Sequence, residues 1–431
     1  SLFCGSKHQV FTVTQKIETR QSSSPISGVG ALFFAFFLLQ VGNGLQRILL
    51  PIRAGSEGFT AGDMGLVMAF HFAGYLVGAR VITTAINAVG HVRVFTALAS
   101  TASAAVLINA VFVLPGSWMA VYFVSGICNA GIFVVIESWL NARATNEVRG
   151  KLLGTYMTLG LAGTTTGFLL INLGGADGFK LFIFSSVLIS LAVIPIALTT
   201  TATPPLKQQE KMSISELFKI IPSAVVGLFL ASFVQAAASS MSTVFGTEAG
   251  MSTGKVALFT AAGFVGAVLL QYPLGSLSDR LPRRSVILVV TVAAGSVAFL
   301  GALVPTTGFW IVVLHLSFGA FVFPLYGLFL ALANDWVPDD RKTAAASTLV
   351  LVSSLGAVVS PLITAKAMEI FGPSGFYWTF VGVFALLFVY LTYRVKVREA
   401  IPVEKQSSFR PIVARSGEII HTVTRRLRKS E

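Results

Sequence analysis

Charged side chains are scarce in this sequence, since Asp, Glu, Lys and Arg together make up 11% of its 431 residues. Soluble domains carry about 25% charged residues, so this chain lacks the polar surface that would cover a globule in water. The sequence is instead 54% hydrophobic. This balance excludes an ordinary soluble domain and favours lipid as the solvent around most of the chain.

Cysteine and the common catalytic motifs are scarce or missing as well. Only Cys4 and Cys128 occur, which excludes a disulfide framework and a cysteine-rich zinc site. The sequence contains no Walker phosphate-binding loop, no HExxH and no GxSxG. We therefore expect neither an ATP-driven pump nor an enzyme, and we expect no cofactor and no metal.

Long hydrophobic runs dominate what is present. A helix needs about 20 apolar residues to cross a bilayer, and twelve runs meet that length. The predicted spans are 28–50, 61–84, 94–115, 118–141, 150–173, 179–201, 219–245, 253–275, 285–304, 308–334, 343–367 and 375–394. The sequence therefore predicts an all-α membrane protein with twelve transmembrane helices.

The longest connection between spans divides the chain into two halves. It covers residues 202–218 and holds the capping box Ser213-x-x-Glu216, which predicts a short surface helix. We expect six-helix lobes at 28–201 and 219–394. A cytoplasmic leader (1–27) and a basic cytoplasmic tail (395–431) would complete the chain, and the leader has no signal-peptide pattern.

The two halves resemble each other at a nearly constant offset. A shift of 192 residues takes Thr60 to Ser252, Gly74 to Gly266 and Asn87 to Asp279. A constant offset across several matches indicates an internal duplication. Because six spans separate the copies, both cross the membrane in the same direction, as in a two-lobed transporter.

The basic residues predict the orientation. The chain has 31 Lys and Arg residues, and a cytoplasmic N-terminus leaves only five of them outside, so that 26 lie inside. The positive-inside rule then places both termini in the cytoplasm. The five outside residues are Arg47, Arg53, Lys180, Lys255 and Lys366.

One cytoplasmic loop concentrates charge beyond what topology needs. The loop is GSLSDRLPRR (275–284). The acid at its helix end can cap a neighbouring helix and pair with an arginine. Such a contact can form in one arrangement of the lobes and break in another. The alternative is that the arginines only enforce topology. The residues concerned are Gly275, Asp279, Arg280, Arg283 and Arg284.

This loop resembles the signature G-x-L-[AS]-D-R-x-[PG]-R-[KR] of the major facilitator superfamily. That resemblance implies two six-helix lobes and a central cavity lined by spans 1, 4, 7 and 10. IESWLNARA (136–144) and PLYGLFLALAND (324–335) further resemble a poorly characterised bacterial branch of the superfamily. The first-half loop departs from the signature, because Asn87 stands where the acid would be.

The duplication also predicts partners for the conformational latch. Asp279 should lie near the start of span 5, around Arg149 and Lys151. Asn87 should lie near the start of span 11, around Arg341 and Lys342.

Polar residues within the spans are candidates for substrate contact, because they are costly in lipid. Gln40, Asn43 and Gln46 form one stripe on span 1, with Arg47 at its outer end. With Gln235 on span 7 and Tyr326 on span 10, Gln40 and Asn43 are the predicted substrate-binding residues. The alternatives are hydrogen bonds between helices and, for Arg47, snorkelling to the interface.

Proton coupling has two main candidates. Glu137 is the one acid well inside a predicted span, and His71 is titratable in span 2. A structural contact of Glu137 with Arg143 and hydrogen-bonded packing of His71 are the alternatives, and His315 is a further titratable residue.

The sequence thus predicts an alternating-access secondary transporter for a small organic solute, with or without proton coupling, in the bacterial inner membrane. An uncoupled uniporter and a non-transporting receptor with a carrier fold remain open. The expected partners are a small-molecule substrate, protons and the lipid bilayer. We expect a monomer and no nucleic acid, because the basic tail lacks interleaved aromatic residues.

Overall fold

The computed structural model describes residues 25–143, 146–174, 178–198, 212–306, 308–397, 401–402 and 406. Within these ranges, the side chains of 25–28, 141–151, 339 and 343 are not described. The leader up to residue 24, most of the middle loop before Met212 and most of the tail lie outside them.

The described residues are helical, with no strand among them. The fifteen α-helices are α1 (Pro25–Ser56), α2 (Ala61–Val89), α3 (His91–Val111), α4 (Pro115–Arg143), α5 (Asn146–Leu169), α6 (Lys180–Leu191), α7 (Val193–Ala197), α8 (Ile214–Ile220), α9 (Pro222–Ser240), α10 (Ser242–Glu248), α11 (Thr253–Arg280), α12 (Arg283–Leu303), α13 (Trp310–Trp336), α14 (Lys342–Phe371) and α15 (Gly375–Val397). Short 3-10 turns follow α5 and precede α14.

Eleven spans of the described chain are long and apolar enough to cross a membrane, with α6 and α7 forming one of them. The remaining predicted span is α5, a 24-residue helix rich in glycine and threonine with a charged first turn. It packs against α1 within its own half and against α11 of the other half. With α5, the helices account for the twelve predicted spans.

The helices form two six-helix lobes with the same internal packing. In the first lobe α2 packs on α4 and α1 on α5, and in the second α11 packs on α13 and α9 on α14. The glycines matched by the 192-residue offset mark equivalent contacts. A Cβ atom on Gly74 would lie 1.9 Å from the carbonyl oxygen of Phe123, and one on Gly266 would lie 1.9 Å from that of Leu316. The predicted duplication is therefore present in the packing.

The two ends of the bundle differ. One, which we call the basic end, carries the α2–α3, α8–α9, α11–α12 and α13–α14 connections. At the opposite end the lobes touch: a Cβ atom on Gly55 would lie 2.5 Å from Thr247 Cγ2, and one on Gly65 would lie 2.5 Å from Ala365 Cβ. Phe168 of α5 packs on Phe264 of α11 with ring centroids 5.3 Å apart. The lobes are thus joined at the opposite end.

The predicted capping box at Ser213 does begin a helix. The Ser213 hydroxyl accepts a hydrogen bond from the backbone N–H of Glu216 at 3.1 Å and starts α8. Glu216 in turn pairs with Arg341, and this contact holds the pKa of the Glu216 carboxyl below its ordinary value. Since the Thr348 hydroxyl donates to the Met212 carbonyl at 2.7 Å, α8 is fastened to the start of α14.

Candidate functional site

A cavity of about 1540 Å³, part of it open to solvent, lies between the two lobes. Its walls come from α1, α2, α4 and α5 of one lobe and from α9, α11, α13 and α14 of the other. Of the predicted substrate-binding residues, Asn43, Gln235 and Tyr326 line it, and so does His71. Gln40 is not among its lining residues.

The polar stripe on α1 divides its contacts between the cavity and neighbouring helices. The Gln40 amide donates to the Thr164 hydroxyl of α5 at 3.3 Å, so this side chain joins two helices of one lobe. One turn further, the Asn43 amide donates to Asn129 Oδ1 of α4 at 3.0 Å. Both Asn43 and Asn129 line the cavity, and their contact fixes the amides at its wall.

The stripe on α1 has a counterpart on α9 at the same 192-residue offset. The shift takes Asn43 to Gln235 and Arg47 to Ser239, and all four side chains line the cavity. The two lobes therefore present amides at equivalent positions on facing walls. At the next pair of positions, however, one lobe carries a guanidinium and the other a hydroxyl.

Aromatic side chains form much of the remaining wall. Those that line the cavity are Phe72, Tyr75, Tyr122, Phe133, Phe264, Phe323 and Tyr326. The His71 ring lies 5.5 Å from the Tyr122 ring and 5.7 Å from that of Phe72. A cavity with an apolar aromatic wall and a few placed polar groups is the usual form of a small-molecule site.

Glu137 lies behind the cavity wall rather than in it. Its side chain is 4% exposed, and Oε1 accepts a hydrogen bond from the Tyr156 hydroxyl of α5 at 3.2 Å. Phe133, one helical turn before it on α4, does line the cavity. The alternative partner, Arg143, has a side chain outside the described residues.

The second predicted site, the charged loop, forms an ion network within one lobe. Arg283, the first residue of α12, donates from Nη1 to Asp335 Oδ2 at 2.5 Å and from Nη2 to Asp279 Oδ1 at 2.9 Å. Asp335 lies at the end of α13, so the guanidinium joins the ends of three helices. The side chains of Arg283 and Asp335 are 1% and 2% exposed, whereas that of Asp279 is 33% exposed.

The other residues of the loop surround this network. The guanidinium of Arg284 lies 5.4 Å from the Trp336 ring centroid, Gly275 is buried, and Arg280 is exposed. Gln406 reaches back from beyond α15: with its amide oriented to satisfy both neighbours, it donates to the Ser278 carbonyl at 3.0 Å and accepts from the Arg283 N–H at 3.2 Å. It therefore caps the end of α11 and the start of α12.

The first half has no charged counterpart of this network among its described residues. The 192-residue offset takes His91 to Arg283, and His91 Nε2 makes a 2.9 Å hydrogen bond with the Ser138 hydroxyl of α4. Asn87 is exposed in the last turn of α2. The side chains of Arg149 and Lys151, expected near Asp279, lie outside the described residues.

Several of these residues could not be recognised from the sequence. Asp335 was visible in LANDWVPDDRK, but nothing in the sequence showed that its side chain faces Arg283. Asn129 is a lone polar residue in α4, and only its contact with Asn43 sets it apart. His315, a titratable residue of span 10 by sequence, hydrogen-bonds Tyr377 at 3.1 Å and stacks on Phe259 within the second lobe.

Comparisons with known proteins agree with this architecture. The model of the Major Facilitator Superfamily matches residues 32–266 and again 224–430. An uncharacterised MFS-type transporter, YcaD, of Escherichia fergusonii is 25% identical over 364 residues, which cover 84% of this chain and 93% of that protein. The YcaD protein of Escherichia coli strain K12 shows the same identity and coverage.

Solved structures share the fold. The nucleoside transporter NupG superposes with a TM-score of 0.71 at 13% identity, covering 86% of this chain and all of that one. A bacterial homologue of the human lysosomal transporter Spinster, in an inward-facing and unoccupied conformation, gives 0.66 at 16% identity over 85% and 96% of the two chains. The family model spans most of the helices described above, and the chain belongs to the major facilitator superfamily.

Proposed function

We propose that this protein is an alternating-access secondary transporter of a small organic solute. The observation that carries the proposal is the cavity between the two lobes, polar in a few places and aromatic elsewhere, with the lobes in contact at the opposite end. Rocking of the lobes about this cavity would expose it to one side of the membrane and then to the other.

The orientation follows from charge. The Lys and Arg residues concentrate at the basic end, which the positive-inside rule assigns to the cytoplasm. The proposed transporter then has both termini in the cytoplasm of a bacterial cell, with a leader (1–27), lobes at 28–201 and 219–394, and a tail (395–431). Because the lobes touch at the outer end, this arrangement corresponds to an inward-facing state of the proposed transporter.

The network around Arg283 is the proposed latch. Opening and closing of the basic end changes the surroundings of Asp279, the half-exposed member, while the buried Arg283–Asp335 pair stays within its lobe. We infer that Asp279 exchanges its partner Arg283 for the start of α5, which carries Arg149 and Lys151 in sequence. Asn87 brings no charge, so the latch is asymmetric.

We further propose that Glu137 couples the movement of the solute to that of protons. The carboxyl is buried, accepts a hydrogen bond from Tyr156 and lies one helical turn from Phe133 of the cavity wall, so its protonation would change the charge behind that wall. His71 is the second candidate, since it lines the cavity directly. Among proteins of similar structure are a D-xylose–proton symporter and the nucleoside transporter NupG. They illustrate the class of solute that the fold accommodates.

Proteoliposomes test the proposal. Vesicles with the purified protein are loaded with a metabolite extract, and the exchange of each solute is followed by mass spectrometry against protein-free vesicles. A carrier exchanges at least one solute, and a pH gradient drives its accumulation if protons are coupled. Binding of a solute without any exchange would instead identify a receptor, and exchange that is indifferent to the gradient would identify a uniporter.

A further inference from the structure

The charge of the cavity wall points to the chemistry of the solute. Among the described residues that line the cavity, Arg47 carries a permanent charge, and no Asp or Glu is present. Only one of the two lobes carries this charge, because the position equivalent to Arg47 on α9 is Ser239. A guanidinium remains protonated at any physiological pH, so Arg47 brings a permanent positive charge to this part of the wall.

A second observation concerns the neighbouring amide. Gln46 lines the cavity and is 7% exposed, and its Nε2 donor has no hydrogen-bond partner among the described residues. A buried donor without an acceptor is costly, so a ligand that brings an acceptor oxygen to Gln46 is favoured. The neighbouring Arg47 adds a positive charge and carries N–H donors but no acceptor. This part of α1 therefore favours a ligand with acceptor oxygens and a negative charge.

The position of Arg47 fits an anchoring role. It lies toward the end at which Gly55 meets Thr247 and the lobes are in contact. Nearer the basic end the cavity wall includes the rings of Phe133, Phe323 and Tyr326. A solute entering from the basic end would therefore meet apolar rings along its body and the guanidinium at its tip.

We propose that the cavity selects a small organic anion, whose carboxylate or similar oxyanion pairs with Arg47 and Gln46 while an apolar or aromatic body lies among the rings. This inference rests on the proposed transport function, since it names the class of solute for the same cavity. A single positive charge matches a monoanion, because a second negative charge would find no partner among the described lining residues.

The first test measures the sign of the cavity potential without any solute. In a protein with Cys4→Ser and Cys128→Ala, Ser240→Cys places a thiol in the cavity wall. The rate of its modification by an anionic methanethiosulfonate is divided by the rate with a cationic one. This ratio is then normalised to the same ratio measured for a small thiol in solution. Because any change in thiol ionisation affects both reagents equally, the normalised ratio reports the local potential.

We expect the anionic reagent to be favoured with Arg47 present and the ratio to fall about tenfold or more in Arg47→Gln, as expected for charges within one cavity at reduced dielectric. Arg47→Lys should retain the preference. Arg53→Gln is the matched control, since Arg53 lies on the same helix, pairs with Glu57 and does not line this cavity. A ratio that is the same with and without Arg47 would overturn the inference.

The second test uses the transported solute and keeps the two proposals separate. Each solute that exchanges in the proteoliposome assay is compared with its carboxamide isostere, in the native protein and in Arg47→Gln. The inference requires at least a tenfold preference for the acid that is lost in the variant. Exchange of a neutral solute with no such preference would refute the anion site and leave the carrier standing. A positive cavity without any exchange would refute the carrier and leave the anion site.

Discussion

Arg283 and Asp335 form an ion pair that is almost completely removed from solvent, with 2.5 Å between Nη1 and Oδ2. Burying two charges is costly, and the pair is tolerated because each ion neutralises the other. The guanidinium also donates a hydrogen bond to Asp279 at the neighbouring helix end. The pair therefore fixes α12 to the end of α13 within one lobe.

Replacing Asp335 by asparagine should destabilise this lobe. The change leaves the Arg283 charge buried, and among the described residues it then pairs with the partly exposed Asp279. We expect the free energy of unfolding to fall by about 3 kcal/mol, the lower part of the range for a broken buried pair. Denaturant unfolding of the purified protein in detergent measures it.

The matched control is Asp279→Asn, which removes the same charge from a more exposed position. Its loss of stability should be clearly smaller, while its effect on transport should be larger if Asp279 is the mobile member of the latch. Equal stability losses in the two variants would show that burial does not set the strength of this network.

The paired glycines provide a prediction about the duplication. A Cβ atom on Gly74 or Gly266 would lie 1.9 Å from a backbone oxygen of the facing helix, and backbone cannot move aside as a side chain can. Gly74→Ala and Gly266→Ala should each force their helix pair apart. We expect roughly 1–3 kcal/mol of destabilisation in each lobe, seen as a lower unfolding temperature in detergent.

Gly382→Ala in α15 serves as the control for these two variants, because nothing lies within 4 Å of the point that a Cβ atom would occupy there. Alanine is also the better helix former, so its unfolding temperature should be unchanged or slightly higher. Were Gly74→Ala as stable as Gly382→Ala, the close approach of α2 and α4 would be wrong.

Much of this fold could be predicted because its signals are local. Hydropathy over about 20 residues locates spans, a constant offset reveals the duplication, and Ser213 marks the start of α8. The span that fell short by hydropathy, α5, has a charged first turn and several polar threonines, and its Gly163 and Gly167 pack closely against α1. Helix type and count therefore follow from composition, and close packing from the repeated glycines.

The candidate site was only partly predictable because it depends on which way side chains turn. Gln40 and Asn43 share a stripe on α1, yet Gln40 bonds to α5 while Asn43 faces the cavity. A difference of one helical turn decides this, and polarity alone does not report it. Asp335 similarly gains its role from Arg283, which is 52 residues away in sequence.

The end opposite the basic end, where the lobes touch, can be locked covalently. In a background without the native cysteines, Gly55→Cys and Thr247→Cys would place their Cβ atoms about 3.9 Å apart, within the range for a disulfide. Oxidation should join α1 to α10, hold the lobes together at this end and stop solute exchange. Reductant should restore exchange, as measured in proteoliposomes.

Each single-cysteine variant controls for effects of the substitution itself, since oxidation should not alter its exchange. If the doubly substituted protein forms the disulfide and still exchanges solute at the full rate, separation of α1 from α10 is not part of the cycle.

The contact between α8 and α14 should depend on pH. Pairing with Arg341 holds the pKa of Glu216 below its ordinary value of 4.5. The stabilising contribution is therefore complete above the ordinary pKa and is lost as the pH falls through the lowered value. Glu216→Gln should accelerate amide hydrogen exchange in α8 at pH 7, and protection in the native protein and the variant should converge at acidic pH. A difference that persists at low pH would assign the effect to something other than the carboxylate charge.

Glu137→Gln tests whether the buried carboxyl couples solute movement to protons. Glutamine keeps the size of the side chain and an oxygen that can accept the Tyr156 hydrogen bond, so the lobe should remain folded. It cannot exchange a proton, and accumulation driven by a pH gradient should therefore disappear while exchange without a gradient continues. Glu57→Gln, at the end opposite the basic end, removes an exposed carboxylate and should leave both activities intact. Loss of exchange together with accumulation would make Glu137 a structural residue, and retention of gradient-driven accumulation would move the coupling site elsewhere, with His71 as the next side chain to replace.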